Sequence, residues 1–147
     1  MQKNINKSLI MAPMPVLIIS TYDENNEPNA MNAAWGTQLD DDKIIVLMTN
    51  HKTTENLKLK KAFTVAFATQ QTLVESDYFG IESGKNINKI AKVGFHTHKA
   101  EHVDAPVIEE YPVSMECEVV SMEYTDGEYY LIGKIVNVCI GGRGGLG

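Results

Sequence analysis

The chain has too few cysteines, cationic side chains and long apolar runs for any of them to organise it. Its two cysteines, Cys117 and Cys139, both fall in strand-like apolar runs. A thiol there behaves as a small hydrophobe, so no disulfide framework is implied. Lys and Arg number 13 against 19 Asp and Glu, which argues against a general nucleic-acid binder, because a phosphate backbone calls for a basic surface. No apolar run approaches the ~20 residues of a membrane-spanning helix. Lys3 and Lys7 precede "SLIMAPMPVLII" in the manner of a secretory leader, but Pro13 and Pro15 interrupt it and no small-residue cleavage site follows, so a cytoplasmic protein is expected. Two chemical signatures are also missing: G-x-x-x-x-G-K-[ST], which would cradle a nucleoside triphosphate, and G-x-S-x-G, which would expose a nucleophilic serine.

What remains, 147 residues with 44% hydrophobic and 22% charged side chains, suits one globular domain with one core. A β-branched run at Val16 to Ile19 is followed by the turn formers "DENNEP" and then by "NAMNAAW", residues 29 to 35. The latter reads as a returning strand, although its small residues and asparagines are poor strand formers. "KIIVLM" is a third strand, and "ENLKLKK" gives a short helix with lysines at its end, where a helix dipole favours cations. In "AFTVAFAT", Phe63, Val65 and Phe67 alternate with Thr64, Ala66 and Ala68, a strand with one bulky face and one small face that leaves room beside it. Residues 70 to 94 turn helical, with Leu73, Val74 and Tyr78, then Ile87, Ile90 and Ala91, at helical spacing, and Gly94 stops the second helix. Val113, Met115, Cys117 and Val119 alternate with Ser114, Glu116 and Glu118 before Asp126-Gly127 turns the chain into "EYYLIGKIVNVCI". The expected fold is therefore mainly β, of the α+β class: a small antiparallel barrel over residues 1–140 with short helices attached. The tail "GGRGGLG", 141–147, is expected to be flexible.

Four stretches could carry chemistry. In "NAMNAAWG", small side chains would let the backbone approach a flat ligand, Asn29 or Asn32 would meet its polar edge, and Trp35 would wall the pocket. In "TNHKTTENLKLKK", Thr53 or Thr54 would cap the helix, while His51 and Lys52 add positive charge where the dipole is already positive. That conflict is resolved by an anion, such as the phosphate of a nucleotide-like cofactor. "SGKNINKIAK" offers a second helix start, with Lys85 and Lys89 four residues apart on one face. In "HTHKAEH", His96, His98 and His102 resemble metal ligands, with Glu101 or Asp104 to complete an open site.

Taken together these pieces resemble the flavin reductase-like family of FMN-binding split barrels, which includes flavoredoxins. The resemblance runs over roughly residues 9 to 139 and rests on "PMPVLIIST", "PNAMNAAW", "HKTTENL" and "SGKNINK" in that order. It implies a small antiparallel split β-barrel with FMN as cofactor. Asn29, Met31, Asn32, Ala33 and Ala34 would then line the isoalloxazine, Thr49 and Asn50 the ribityl chain, and His51, Lys52 and Thr53 the phosphate. Gly84, Lys85 and Lys89 would reach the phosphate or an incoming nicotinamide. Asn32 stands where the family pattern leads one to expect a hydroxyl residue.

The resemblance further implies a homodimeric oxidoreductase taking electrons from NADH or NADPH and passing them to free flavin, a redox protein or another small acceptor, with no nucleic-acid or membrane partner. A non-enzymatic FMN carrier and a metal-binding protein using the three histidines are the alternatives. Flavin chemistry asks the protein for orientation and shielding from water rather than for a nucleophile, which suits a chain without a triad.

Overall fold

The computed structural model describes residues 1–7, 11, 15–49, 52–81 and 88–141. Its strands are β1 (Leu17–Tyr22), β2 (Pro28–Ala33), β3 (Gly36–Gln38), β4 (Lys43–Met48), β5 (Ala62–Phe67), β6 (Thr97–Lys99), β7 (Pro106–Ile108), β8 (Val113–Thr125) and β9 (Glu128–Ile140). The helices are α1 (Lys52–Lys60), α2 (Leu73–Ile81) and α3 (Lys89–Lys92). Seven strands form one antiparallel sheet in the order β2-β1-β5-β8-β9-β4-β3, and β6 and β7 pair separately.

This order forces the sheet to curl. β2 and β3 stand at its opposite edges, yet only Ala34 and Trp35 separate them along the chain. The two edges therefore meet without pairing, which makes the barrel split, as expected. Gly36 marks the seam: a Cβ there would lie 2.8 Å from Leu17 Cδ1 on β1 and 3.3 Å from Val46 Cγ2 on β4. Strands from both ends of the order converge on a position where a side chain has no space. Next to it, Leu47 N–H donates to the Trp35 carbonyl at 2.8 Å.

The barrel is filled by the inward residues of the alternating strands, among them Leu17, Ile19, Val46, Phe63, Val65 and Leu131. Outside it, Ile18, Ala30 and Ala66 pack with Phe79 of α2, Ile90 of α3 and Tyr111, while Ala62 packs with Ala100, Val103, Ala105 and Val107. The small face of β5 is thus covered at Ala62, Thr64 and Ala66 by the helices and the 100–107 segment. α2 is also turned differently from its apolar spacing. Leu73 and Val74 are exposed, whereas Phe79 and Ser76 are buried, the Ser76 and Tyr111 hydroxyls lying 2.8 Å apart. Desolvation lifts the Tyr111 phenol to about 12. Gly94 follows α3 at φ 79° as a helix stop; Ile87 and residues 142–147 of the expected flexible tail lie outside the described residues.

The histidines do not form a common set. His96 Nδ1 lies 2.7 Å from Glu110 Oε2, His98 Nδ1 3.3 Å from Glu109 Oε1, and His102 Nδ1 3.3 Å from Glu116 Oε2. Asp104, expected beside them, instead meets Lys60 at 3.5 Å and Lys99 at 3.9 Å. The reason is local for His96 and His98: β6 pairs antiparallel with β7, His98 opposite Val107, so that Glu109 and Glu110, just past β7, come within reach of His98 and His96. Among the described residues the gathered metal-type ligands are Asp40, Asp41 and Asp42, on the surface. Glu116, expected on a polar strand face, is 2% exposed. It accepts from His102 N–H at 2.8 Å and from Asn137 Nδ2, which ties the 100–105 segment to β8.

Burial alone would raise the Glu116 carboxyl, but hydrogen bonds from Asn137 and His102 and the His102 charge bring it below its ordinary value of 4.5. With the folded pKa lower than the unfolded one, the unfolded chain binds more protons between the two. This contribution is therefore complete above the ordinary carboxyl range and lost as pH falls through the folded pKa. Urea midpoints should drop with acidification across that window, and the drop should be shallower in Glu116→Gln; parallel profiles would show that Glu116 does not carry it.

Asp126 (φ 53°) and Gly127 (φ 85°) form the two-residue turn of β8 and β9 with positive φ at both centres. A Cβ at Gly127 would meet nothing within 4 Å, so Gly127→Val tests backbone strain alone. It should cost about 1 kcal/mol or more, and an unchanged denaturation midpoint would refute that.

Candidate functional site

Two stretches that the sequence offers separately are joined in the structure by one buried hydrogen bond. Asn29 Nδ2, on β2, donates to Thr53 Oγ1, in the first turn of α1, at 3.1 Å and 24 residues' separation. α1 turns a polar face inward: Thr53, Thr54 and Asn56 are buried beside Leu57. Burying such groups is costly unless they are paired. Asn29 pairs Thr53, and Asn56 Nδ2 donates to Thr21 Oγ1 of β1 at 3.0 Å. Thr53 and Thr54 are therefore helical residues docked on the barrel, not the caps expected from their position.

Lys52 opens α1, and its side chain is 15% exposed. Its ammonium lies 3.1 Å from Glu24 Oε2, on the turn between β1 and β2. A hydrogen bond from its own backbone N–H and the Lys52 ammonium hold the Glu24 carboxyl below its usual value. The awkward positive charge at the helix start thus has an anion within the chain, which "DENNEP" did not reveal as anything but a turn. Asn50 and His51, expected to join Lys52, lie outside the described residues, as do Gly84 and Lys85.

β2 is an edge strand, paired by β1 on one side only. Its residues divide. Met31 packs against the barrel interior and Ala33 is buried. Asn32 turns to α2, donating to the Ser76 carbonyl at 3.0 Å, and a Cβ at Gly80 would overlap its amide. Asn32 thus anchors a helix with the side chain expected to meet a ligand. Ala34 is exposed, as is Trp35 (55%), at the bend that closes the barrel, and Thr49 is exposed at the end of β4. Lys89 is buried, with its ammonium 2.9 Å from the Phe79 carbonyl.

A separate cavity of about 430 Å³ lies toward the end of β8 and β9 opposite their turn, lined in part by His98, Glu109, Tyr111, Ser114 and Cys139. Among the described residues, none of those expected to bind a flavin lines it. Neither thiol is poised to react. Burial, with the Glu116 charge, pushes Cys117 up to about 12, and burial raises Cys139 as well.

The β2–α1 junction can therefore offer a flat ligand a strand edge with small side chains, and offer an anion the Lys52 ammonium at the positive end of a helix dipole. A family model for the flavin reductase-like domain matches residues 11–145. Among solved structures, flavoredoxin of Desulfovibrio vulgaris (Miyazaki F) is similar at 30% identity and a TM-score of 0.88, over 95% of this chain and 76% of that one. Flavoredoxin from Methanosarcina acetivorans is similar at 24% identity and a TM-score of 0.86, over 95% and 75%. An FMN-binding protein from Thermus thermophilus shares the fold at 15% identity and a TM-score of 0.78, over 95% and 80%. A comparison with curated proteins finds no match.

Asn29→Ala should leave the buried Thr53 hydroxyl without this partner and cost about 1–3 kcal/mol in the protein without added ligand. Urea denaturation reads the effect, and an unchanged midpoint would mean that the bond does not hold α1 in place.

Proposed function

The chain belongs to the flavin reductase-like family, and from that membership we propose that it binds FMN at the β2–α1 junction. It acts there as an oxidoreductase, moving electrons from NADH or NADPH to free flavin, a redox protein or another small acceptor. The observation that supports this most is the Asn29–Thr53 hydrogen bond, because it places a small-residue strand edge and a cationic helix start side by side, as a ring and its phosphate require.

When bound, the isoalloxazine supplies the redox chemistry, accepting hydride and passing electrons on. The protein's part is placement. Lys52 and the first N–H groups of α1 neutralise the phosphate, together with Thr53 and, as the family resemblance implies, His51. Asn29, Met31, Asn32, Ala33 and Ala34 offer the ring the unpaired backbone edge of β2, the Asn32 side chain itself being committed to α2. Trp35 shields the ring, while Thr49 and, as the family resemblance implies, Asn50 would serve the ribityl chain. As the family resemblance implies, Gly84, Lys85 and Lys89 would serve the phosphate or nicotinamide, the Lys89 ammonium also donating to the Phe79 carbonyl. Among the described residues no helix is long and apolar enough to cross a membrane, and the proposed working form is a cytoplasmic homodimer. Exposed Val138 and Ile140 on β9 are the kind of apolar surface that a second copy would cover.

The purified protein should be yellow, release FMN rather than FAD on denaturation, and oxidise NADH or NADPH; a flavoprotein that oxidises neither is a carrier. Lys52→Ala removes a charge-assisted contact worth about 1.5–3 kcal/mol, so FMN should bind roughly ten- to a hundredfold more weakly. Riboflavin, with the same ring but no phosphate, should be nearly unaffected. Equal weakening of both ligands in a fluorescence titration would place the phosphate elsewhere.

A further inference from the structure

The Lys52–Glu24 pair is more than a chance meeting of surface charges, because the turn that carries Glu24 is ordered and fastened. Asp23 N–H donates to the Glu27 carbonyl at 3.0 Å and Asn26 N–H to the Asp23 carbonyl at 3.0 Å. Asp23 Oδ1 also accepts from the Asn25 and Glu27 amides at 2.8 and 2.9 Å. Lys60, the last residue of α1, donates to Asn26 Oδ1 at 2.7 Å, while Lys52, the first, meets Glu24. The turn is therefore tied to both ends of the helix that it faces. Its carboxylate lies on an ammonium that is largely withdrawn from water and stands at a helix start, where a lone positive charge is unfavourable.

We infer that Glu24 is a stand-in anion: it holds the Lys52 ammonium until a flavin binds, yields it to the phosphate of the flavin, and so sets how readily the phosphorylated ligand exchanges. The inference rests on the FMN reading of this same site. Two anions cannot share one ammonium without repulsion, and a phosphate near −2 outcompetes a single carboxylate. Glu24 is 59% exposed, so it can swing into water when displaced. When the ligand departs, the returning carboxylate spares Lys52 from being left unpaired beside the helix start, which makes release easier. Glu24 therefore tunes the affinity for the phosphate and not for the ring.

The test titrates FMN and riboflavin into the parent, Glu24→Gln, Glu24→Ala, Lys52→Ala and the double variant Glu24→Gln/Lys52→Ala, and follows FMN dissociation by stopped flow. Without the competing charge, Glu24→Gln should bind FMN about two- to fivefold more tightly, the range expected for a partly exposed ion pair, and release it correspondingly more slowly. Glu24→Ala, which keeps no hydrogen bond to Lys52, should show the same gain. Riboflavin affinity should stay within experimental error, and the gain should vanish when Lys52 is also replaced. Unchanged or weaker FMN binding in both Glu24 variants, in a protein whose parent still prefers FMN to riboflavin, overturns the role of Glu24 and leaves the phosphate site standing. A parent that binds FMN and riboflavin alike, or neither, overturns the phosphate site itself and this inference with it.

Discussion

The site depends on one buried polar contact, Asn29 with Thr53. α1 has too few apolar residues to dock by hydrophobic burial: Leu57 is buried, but Leu59 is exposed. The helix is held instead by paired asparagine and threonine side chains, whose geometry admits one register where an oily face would accept several. Specific placement is what a ligand site needs, because the helix start must come to rest at a definite distance from the strand edge. The cost is a face that cannot tolerate the loss of either partner.

Closure of the barrel imposes the second constraint. The chain crosses from one sheet edge to the other within Ala34 and Trp35, and the seam leaves no side-chain space at Gly36. The small residues of β2 answer to several demands at once. Ala30 lies under the helices, Ala33 lies in the barrel wall, and Asn32 holds α2. A strand that looks poor by propensity is therefore accounted for in large part by its neighbours, before any ligand is considered.

How much of this could be read from the sequence differs from element to element. The β8–β9 hairpin was legible because Asp126-Gly127 and strict alternation are local signals. β4 and β5 were legible from their β-branched and aromatic runs. β3 was not, since three residues at a seam carry no period, and the facing of α2 was not, because the side chains that bury Phe79 and pair Ser76, among them Ile18, Ile90 and Tyr111, lie outside the helix. In the candidate site, the asparagines and threonines stood out by type, but their pairing spans 24 residues and has no sequence signature. Glu24 was hidden in a turn-forming run, and the burial of Lys89 had no local signal, because a lysine in a polar segment gives no sign that a carbonyl of another helix will receive it. The three histidines looked like one set because spacing shows proximity along the chain and not the separate carboxylates, Glu110, Glu109 and Glu116, that each finds in the fold.

The split also dictates an order of assembly. Residues 17–48 can form two hairpin-like pairs, β1 with β2 and β3 with β4, from contacts close in sequence. Those pairs are the two flanks of the sheet, and β5, β8 and β9 must fill the gap between them. β4 finds its second partner only in β9, with Met48 opposite Tyr129. During synthesis the N-terminal third therefore emerges with its flanks formed and its middle missing, and the wall cannot close until the last long strand has left the ribosome. Such late, long-range closure is slow by nature and leaves strand edges unpaired meanwhile. The same connectivity that brings both edges to Trp35 therefore makes the completed barrel a product of the whole chain.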